Sequence, residues 1–415
     1  MRFLRNHVVP TVACLGRGVL VCFLAALPGA GCQSESTGYQ VTVEAGSTDR
    51  IQAVASFDVP AELAENILVL RAISRDPLPV QIHEGKGWFI LDQLDAGKSI
   101  SFSLDIGQQK SYPAIGASQD STGVTFARNG QEIFRYNSTI KPLPDGQVNP
   151  LFERGGYIHP VYTPSSRLIT NDYPPNHLHH HGIWAAWTNT RFQGRTPDFW
   201  NMGDSTGTVL PRGLDEVWAG PVLSGFKSRH RYMDLSTMPA QPALEESWEG
   251  RLYAVDENRP FHLFDLHVHQ TTATDSALIL PEYRYGGVGF RGHDDWEGAD
   301  HAYFLTSEGK DRSNGHATHA RWCHIGGYVD GHFAGVAILS HPDNFRAPEP
   351  MRIHPTEPFF NWAPSQDGDW AITPEEPFDA TYRFAVMDDP PDAKLIDQLW
   401  EDFAHPVKTT VSAQP

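Results

Sequence analysis

Four imidazoles crowd the segment Asn176, His177, Leu178, His179, His180, His181, Gly182, Ile183, Trp184, with His159 a little upstream. Imidazole titrates near neutral pH and is the commonest metal ligand, so this density points to a polar site rather than a core. Run as a strand, the segment places His177, His179 and His181 on one face and His180 with Leu178 on the other. That face could offer three nitrogens to a divalent transition metal, or two plus a hydrogen bond to a substrate. A hydrogen-bonded loop of histidines is the competing reading.

Three further runs carry chemistry. Asp198-Phe199-Trp200 follows the histidines, and Pro281 to Arg291 contains Glu282, Arg284, Gly286, Gly287 and Gly289. An acid among aromatic rings is partly desolvated and can exchange a proton near neutral pH, which makes Asp198 and Glu282 the acid/base candidates. A salt bridge from Glu282 to Arg284 is the alternative for that residue. The glycines lack the helix of a phosphate loop and read as a bulge or a close approach to a ligand. His341-Pro342-Asp343-Asn344 ends a β-like run, where residues often face a cleft, so His341 is a candidate to join the histidines; turn-capping by His341 and Asn344 competes. The run Pro350 to Pro355, with His354, and then Phe359 to Trp362, follows. Trp184, Trp187, Trp200, Trp296, Trp322 and Trp362 lie near these motifs, and two or three such rings suit the apolar C–H faces of a sugar.

The elements that position these residues are strands. Tyr39 to Gly107 alternates apolar and polar residues between Pro, Gly and Asp turns and reads as a small accessory β-unit, residues 39–115, with Gln108 to Thr122 as the boundary. Short β-like runs recur from Gly123 onward. In Phe261 to Gln270, Phe264, Leu266 and Val268 alternate with Asp265, His267 and His269. Pro391 to Phe403, with Leu395, Ile396, Leu399, Trp400 and Phe403 at helical spacing, predicts one amphipathic helix packed on a sheet. The expected fold is all-β, a large antiparallel β-sandwich over 116–406 with a small N-terminal β-unit, a C-terminal helix and a tail at 407–415.

The N-terminus reads as an export signal over 1–31, with Arg2 and Arg5 before the apolar run Val19 to Leu27. That run falls short of the roughly 20 residues a spanning helix needs. Small residues leading into Cys32 resemble a lipobox, making Cys32 the expected lipidation site and 32–38 a tether. Cleavage also removes Cys14 and Cys22, so Cys323 has no disulfide partner. The chain carries a net charge of −18, more negative still without Arg2, Arg5 and Arg17. Such a surface repels nucleic acid and anionic membrane, leaving the lipid anchor as the only membrane contact expected. A local basic pocket, such as one containing Arg284, Arg291 and Arg321, remains compatible with it.

Together these motifs resemble a family of exported bacterial β-rich proteins known as PmoA-like or "methane oxygenase PmoA", a domain of unknown function. The resemblance rests on His177, His179, His180 and Gly182; Asp198 to Trp200; Gly286, Gly287 and Arg291; Trp322; and His341, Pro342 and Asn344, over roughly Gly123 to Pro406. The chain departs from the family pattern at Asn176 (an acid), Leu178 (a proline) and His181 (an arginine). The resemblance implies a galactose mutarotase-like supersandwich whose sugar site combines histidine with a carboxylate. Methane oxidation in a membrane is set aside, because no apolar run after the signal could span a bilayer.

The expected function is a carbohydrate-active protein of the periplasm or cell surface working by proton transfer. His179, His180, Asp198, Glu282 and His341 are the catalytic candidates. His177, Trp184, Trp200, Arg284, Arg291, Trp322 and Asn344 are the substrate-binding candidates. A noncatalytic glycan-binding lipoprotein and an enzyme whose metal sits on His177, His179 and His181 are the alternatives.

Overall fold

Alternating apolar and polar residues make strands whose two faces meet different surroundings. A computed structural model describes residues 35–107, 114–143 and 149–414. The expected leader, Cys32 and tether residues 33 and 34 lie outside the described residues, as do 108–113 of the expected boundary.

Strands Glu35–Glu44, Arg50–Asp58, Leu68–Arg71, Leu78–His83, Lys86–Leu94 and Ser99–Ile106 form the N-terminal antiparallel sheet. A seventh strand comes from the other end of the chain. Lys408–Ala413 pairs with Glu35–Glu44 from Tyr39 opposite Ala413 to Glu44 opposite Lys408. This corrects two expectations: the segment 407–415 is mostly strand rather than tail, and Glu35 to Gly38 is strand rather than tether. Pairing covers the open edge that Glu35–Glu44 would otherwise present. The Thr409 hydroxyl donates to the Ser56 carbonyl at 2.6 Å, so the sheet curls on itself around Val41, Val43, Phe57, Phe89, Leu91, Phe102 and Leu104.

The larger unit is a sandwich of two eight-stranded antiparallel sheets. The first runs from Gly116–Gln119 through Gly123–Arg128, Gln131–Asn137, Tyr157–Val161, Ile183–Ala186, Gly287–Arg291 and Phe359–Trp362 to the edge strand Met351–Ile353. The second runs from Gly207–Trp218 through Leu223–Asp234, Gln241–Tyr253, Phe261–Thr272, Phe378–Met387, His332–Ser340 and Trp322–Val329 to Ala302–Thr306. Aromatic rings close the space between them: Tyr136 stacks on Phe226 at 4.3 Å and Phe134 meets Phe264 at 5.0 Å. Phe261–Thr272 divides as its period of two demands. Phe264, Leu266 and Val268 enter this core. Asp265 faces outward and accepts two bonds from Arg383, at 2.7 and 2.9 Å, while His267 and His269 flank Asp379.

Helix Ala393–Ala404 starts at Asp392, whose carboxylate accepts from the amides of Lys394 and Leu395. Ile396, Leu399, Trp400 and Phe403 lie against Leu263, Ala337, Leu339 and Ala385 on the outer face of the second sheet. Val54, Trp88 and Ile90 of the N-terminal unit join the same cluster. The all-β sandwich, the N-terminal β-unit and the C-terminal helix are therefore as the sequence predicts. Cys323 is buried and free.

Candidate active site

Register places the site on the first sheet. Trp184 stands opposite Gly289, Gly289 opposite Asn361, and Asn361 opposite Arg352; one step along, Arg291 stands opposite Phe359. Residues paired across antiparallel strands project to the same side, so Trp184, Arg291, Phe359, Asn361 and Arg352 share a face. Ile183 pairs with Ile158, and Ile158 with Tyr136, which meets Phe226 of the second sheet. The site face is therefore the one turned away from the second sheet. A Cβ on Gly289 would come within 2.9 Å of Trp200, so this glycine lets an indole, and not a ligand, lie on the sheet. Gly287 has a φ of 110° and its missing side chain admits the Trp362 carbonyl. The close approach predicted for these glycines is thus made by the protein's own groups.

The histidine segment is a loop of turns rather than a strand. Pro174 and Pro175 lead into it and neither can donate to a ladder; instead the His180 amide donates to the His177 carbonyl at 2.9 Å. The expected face of His177, His179 and His181 is therefore not formed. The rings of His177, His179 and His180 gather at centroid distances of 4.6 to 5.6 Å, whereas His181 turns back between Tyr157 and Tyr173 and its Nδ1 bonds Asp172 at 2.9 Å. His177 and His180 stack at 16°, which sets their nitrogens side by side rather than converging. Among the described residues, the one group of three such donors within 4.8 Å of one another is His83, Glu84 and Glu249. There Glu84 already pairs with Lys227 and Arg251, and Glu249 with Arg251. The metal triad of His177, His179 and His181 is not preassembled.

What the loop meets is a buried guanidinium between two carboxylates. Arg291 is fully buried. Its Nη2 donates to Glu297, to Glu357 at 3.1 Å and to Asn176 Oδ1 at 3.3 Å, and its Nη1 lies 3.4 Å from His180 Nδ1. Asn176 also donates to Glu357 at 2.7 Å, so this amide bridges the cation and the acid. His354 continues beyond the edge strand, with its ring 6.1 Å from that of His177. At this surface His177 Nδ1, Trp184 Nε1, Arg291 Nε and Asn361 Oδ1 are buried without a hydrogen-bond partner among the described residues, which leaves them open to water or a ligand.

The two acids are driven apart. Burial, then its bond with Glu357, pushes Glu297 up to about 7. Burial pushes Glu357 upward too, but the hydrogen bond from Glu297 and the charge of Arg291 outweigh it and hold Glu357 down at about 2. Burial, reinforced by neighbouring imidazoles and Arg291, lowers His179 to about 3 and takes His180 well below its usual range. Burial and then Arg352 lower His354 to about 4. At neutral pH the site thus holds a protonated acid, an ionised acid and uncharged imidazoles, a set able to give and take a proton on one ligand.

Other expected site residues lie elsewhere or are fully engaged. Asp198 accepts from the amides of Trp200 (2.8 Å) and Asn201 (2.9 Å), the Thr188 hydroxyl (3.0 Å) and the Asn201 side chain (2.6 Å). With its lone pairs occupied it fastens the loop that carries Trp200. Glu282 is exposed, and no bridge to Arg284 forms; that guanidinium lies over Tyr283 and Tyr285. His341 accepts from the Asp343 amide at 3.2 Å and rests on Phe403 of the helix, so it caps a turn at the second sheet rather than joining the histidines. Trp322 lies under the helix and donates to Asp397, which also pairs with Arg321. Trp184 and Trp200 are fully buried and support His180 rather than offering a stacking face. Half-exposed Tyr283 and Tyr285 are left to do that. The sequence reading missed Glu297 and Glu357; the signals were a glutamate directly after Trp296 and another three residues after His354. Clefts of about 270 Å³ beside Arg128 and His262 and about 780 Å³ beside Arg75 and Asp256 involve none of these residues.

Asn344 is buried and structural, donating to Glu349 (3.0 Å), which also accepts from Ser340 (2.5 Å) and Tyr382 (3.0 Å). Burial raises Glu349 to about 7 from an ordinary 4.5 despite these bonds. The folded state then holds this proton more tightly than the unfolded chain between those values. Stability from this group is complete below pH 4.5 and declines by about 3 kcal/mol as pH rises to 7. Urea unfolding of Glu349→Gln across that window is expected to show this decline abolished.

The family of unknown function DUF6807 matches residues 123–401. The chain belongs to this family. The DUF6807 match takes in the sandwich from its Gly123 strand to the C-terminal helix, with every residue of the Arg291 site inside it. No curated protein matches the sequence. Among solved structures, an α-mannosidase from Enterococcus faecalis V583 is similar at 8% identity and a TM-score of 0.41, over 92% of this chain and 47% of that one. A protein in the glycosyl hydrolase family 38 from Enterococcus faecalis is similar at 10% identity and a TM-score of 0.38, over 92% and 49%. The chain thus spans about half the length of the solved structures it matches.

Proposed function

We propose that this DUF6807 protein acts on a sugar or glycan fragment by proton transfer, with Glu297 as the acid and Glu357 as the base. The observation that carries this reading is the single buried guanidinium of Arg291 holding two carboxylates whose proton affinities it and their mutual bond split. Separated affinities in adjacent acids are the signature of paired acid/base roles. Glu297 delivers its proton to a substrate oxygen while Glu357 removes one from water or from a substrate carbon, and the neutral imidazoles of His177, His179 and His354 bond hydroxyls as donor and acceptor. Tyr283 and Tyr285 supply aromatic faces for the apolar side of a sugar ring. The likeness to exported PmoA-like proteins supports a supersandwich sugar site and a location outside the cytoplasm, anchored by lipid at Cys32. No helix among the described residues is long and apolar enough to cross a membrane, and methane oxidation is no part of the proposal.

The test is turnover. Purified protein is incubated with mono- and oligosaccharides and the products are resolved by mass spectrometry, with solvent deuterium reporting proton abstraction from carbon. Consumption of a saccharide that His179→Ala slows supports the reading; unchanged turnover in that variant removes the site from the chemistry. Calorimetric binding of a sugar that is never consumed would make the molecule a glycan-binding protein instead. One equivalent of a transition metal in untagged protein would transfer the site to metal chemistry.

A further inference from the structure

On the flank of the site two arginines, Arg352 and Arg284, have no acid of their own; Arg312, beside the acid pair, also lacks one but is bonded to the backbone carbonyls of Gly298, Pro355 and Glu357. In a chain with 50 Asp and Glu against 32 Lys and Arg, Arg291, Arg321 and Arg383 each pair with carboxylates. Among the described residues, no carboxylate lies within 4.0 Å of Arg352 or Arg284. Arg352 stands on the edge strand Met351–Ile353, two residues before His354. Positions two apart along an extended chain share a face and lie roughly 7 Å apart, and the charge of Arg352 acts on His354, so Arg352 lies beside the imidazole that borders His177. It is half-buried, and its Nη1 meets His316 Nε2 at 3.2 Å. Arg284 lies over Tyr283 at 5.9 Å and Tyr285 at 5.5 Å, and Tyr285 in turn meets Trp200 at 5.5 Å. Burial and the nearby charge of Arg284 both act against the protonated form of Arg352, so the two cations repel one another across the tyrosines. Arg352 is half-buried and Arg284 exposed, and two unpaired like charges held close, one of them partly desolvated, are unfavourable until an anion joins them.

We propose that the ligand of this site carries an oxyanion, a carboxylate or a sulfate ester on the sugar, and that Arg352 and Arg284 bind it. The inference rests on the saccharide reading above and narrows it to acidic saccharides. A planar guanidinium matches either oxyanion through two parallel N–H donors, and Tyr283 and Tyr285 hold the ring that bears it. Because Arg352 and His354 are one strand repeat apart, the charged group belongs to the reacting sugar residue or its immediate neighbour.

An immobilised-glycan array bearing uronate-containing, sulfated and neutral glycans tests this, with wild type, Arg352→Gln and Arg284→Gln each checked for an unchanged melting temperature. Binding is expected on acidic glycans alone, weakened by added salt, and each substitution is expected to lower affinity by about tenfold or more, as for a charge-assisted hydrogen bond. The uronate and sulfate arms tell which oxyanion is taken. Equal or preferential binding of neutral glycans, or acidic binding unmoved by both substitutions, overturns the assignment while the saccharide reading stands. An array silent in every arm overturns both.

Discussion

Glu357→Gln is expected to lower kcat/KM on the cognate saccharide by about 10²- to 10⁴-fold, the range over which a positioned proton-transfer group acts. The substitution keeps the bond from Asn176 and removes the charge that takes up the proton, so binding is expected to fall far less than rate. Glu297→Gln removes the donor and is expected to cost a similar factor. The pH profile separates the two. Activity requires Glu297 protonated, so kcat/KM declines as pH rises through about 7. It requires Glu357 ionised and the imidazoles neutral, so the acid limb comes only as pH falls to about 4, where His354 gains its proton, with His179 following near 3. An alkaline limb that persists unshifted in Glu297→Gln would assign it to another group and remove Glu297 from the acid role.

Arg291→Met is expected to destabilise the fold by about 3 kcal/mol, at the low end of what removing one partner from a buried ion pair costs. The guanidinium is fully buried, but Glu297 retains a third of its side-chain exposure and Glu357 14%, so water offsets part of the loss. Without the cation the two carboxylates face one another with only Asn176 between Glu357 and the loop, and His180 loses its neighbour. Guanidinium chloride unfolding measures the change. Adding Glu297→Gln to Arg291→Met is expected to recover part of it at pH above about 7, where Glu297 ionises and would repel Glu357 while the amide does not; coupling between adjacent charged sites typically amounts to 0.5–3 kcal/mol. A single substitution costing under about 1 kcal/mol would mean that something other than this guanidinium holds the acid pair in place.

These expectations converge on Arg291, which the sequence reading treated as a contact for substrate oxygen. Its burial changes that role. Arg291 lies beneath Glu297 and Glu357 and bonds both, and in the proposed reaction the groups that meet a ligand are the two acids, His177, His179, His354 and the tyrosines above. Asn176, one of the departures from the family pattern, is explained by the same arrangement: an amide can accept from Arg291 and donate to Glu357 at once, whereas an ionised carboxylate has no hydrogen to donate and would repel Glu357.

Much of the architecture was legible along the chain. The period of two in Phe261–Thr272 separated core from outer face before any coordinates, and the helical spacing of Ile396, Leu399 and Phe403 located the one amphipathic helix and its buried side. The crowded histidines marked the right neighbourhood. For Asp198, His341 and Asn344 the sequence leaves a site role and a structural one open, because a polar residue beside aromatics looks the same whether its lone pairs are open to a ligand or taken up by its own loop. Only hydrogen-bond partners distinguish the two. Glu297 and Glu357 were invisible for another reason: alternation says which face a side chain takes but not which strands become neighbours. The pairing of Ile183–Ala186 with Gly287–Arg291, and of that strand with Phe359–Trp362, brings Arg291 beneath loops sixty residues apart in sequence that carry the acids, just as the pairing of Lys408–Ala413 with Glu35–Glu44 joins the two ends of the chain. Local periodicity therefore determined the elements and their inward faces, whereas the site's charges were assembled by strand order, a property of long-range packing that no short stretch of residues encodes.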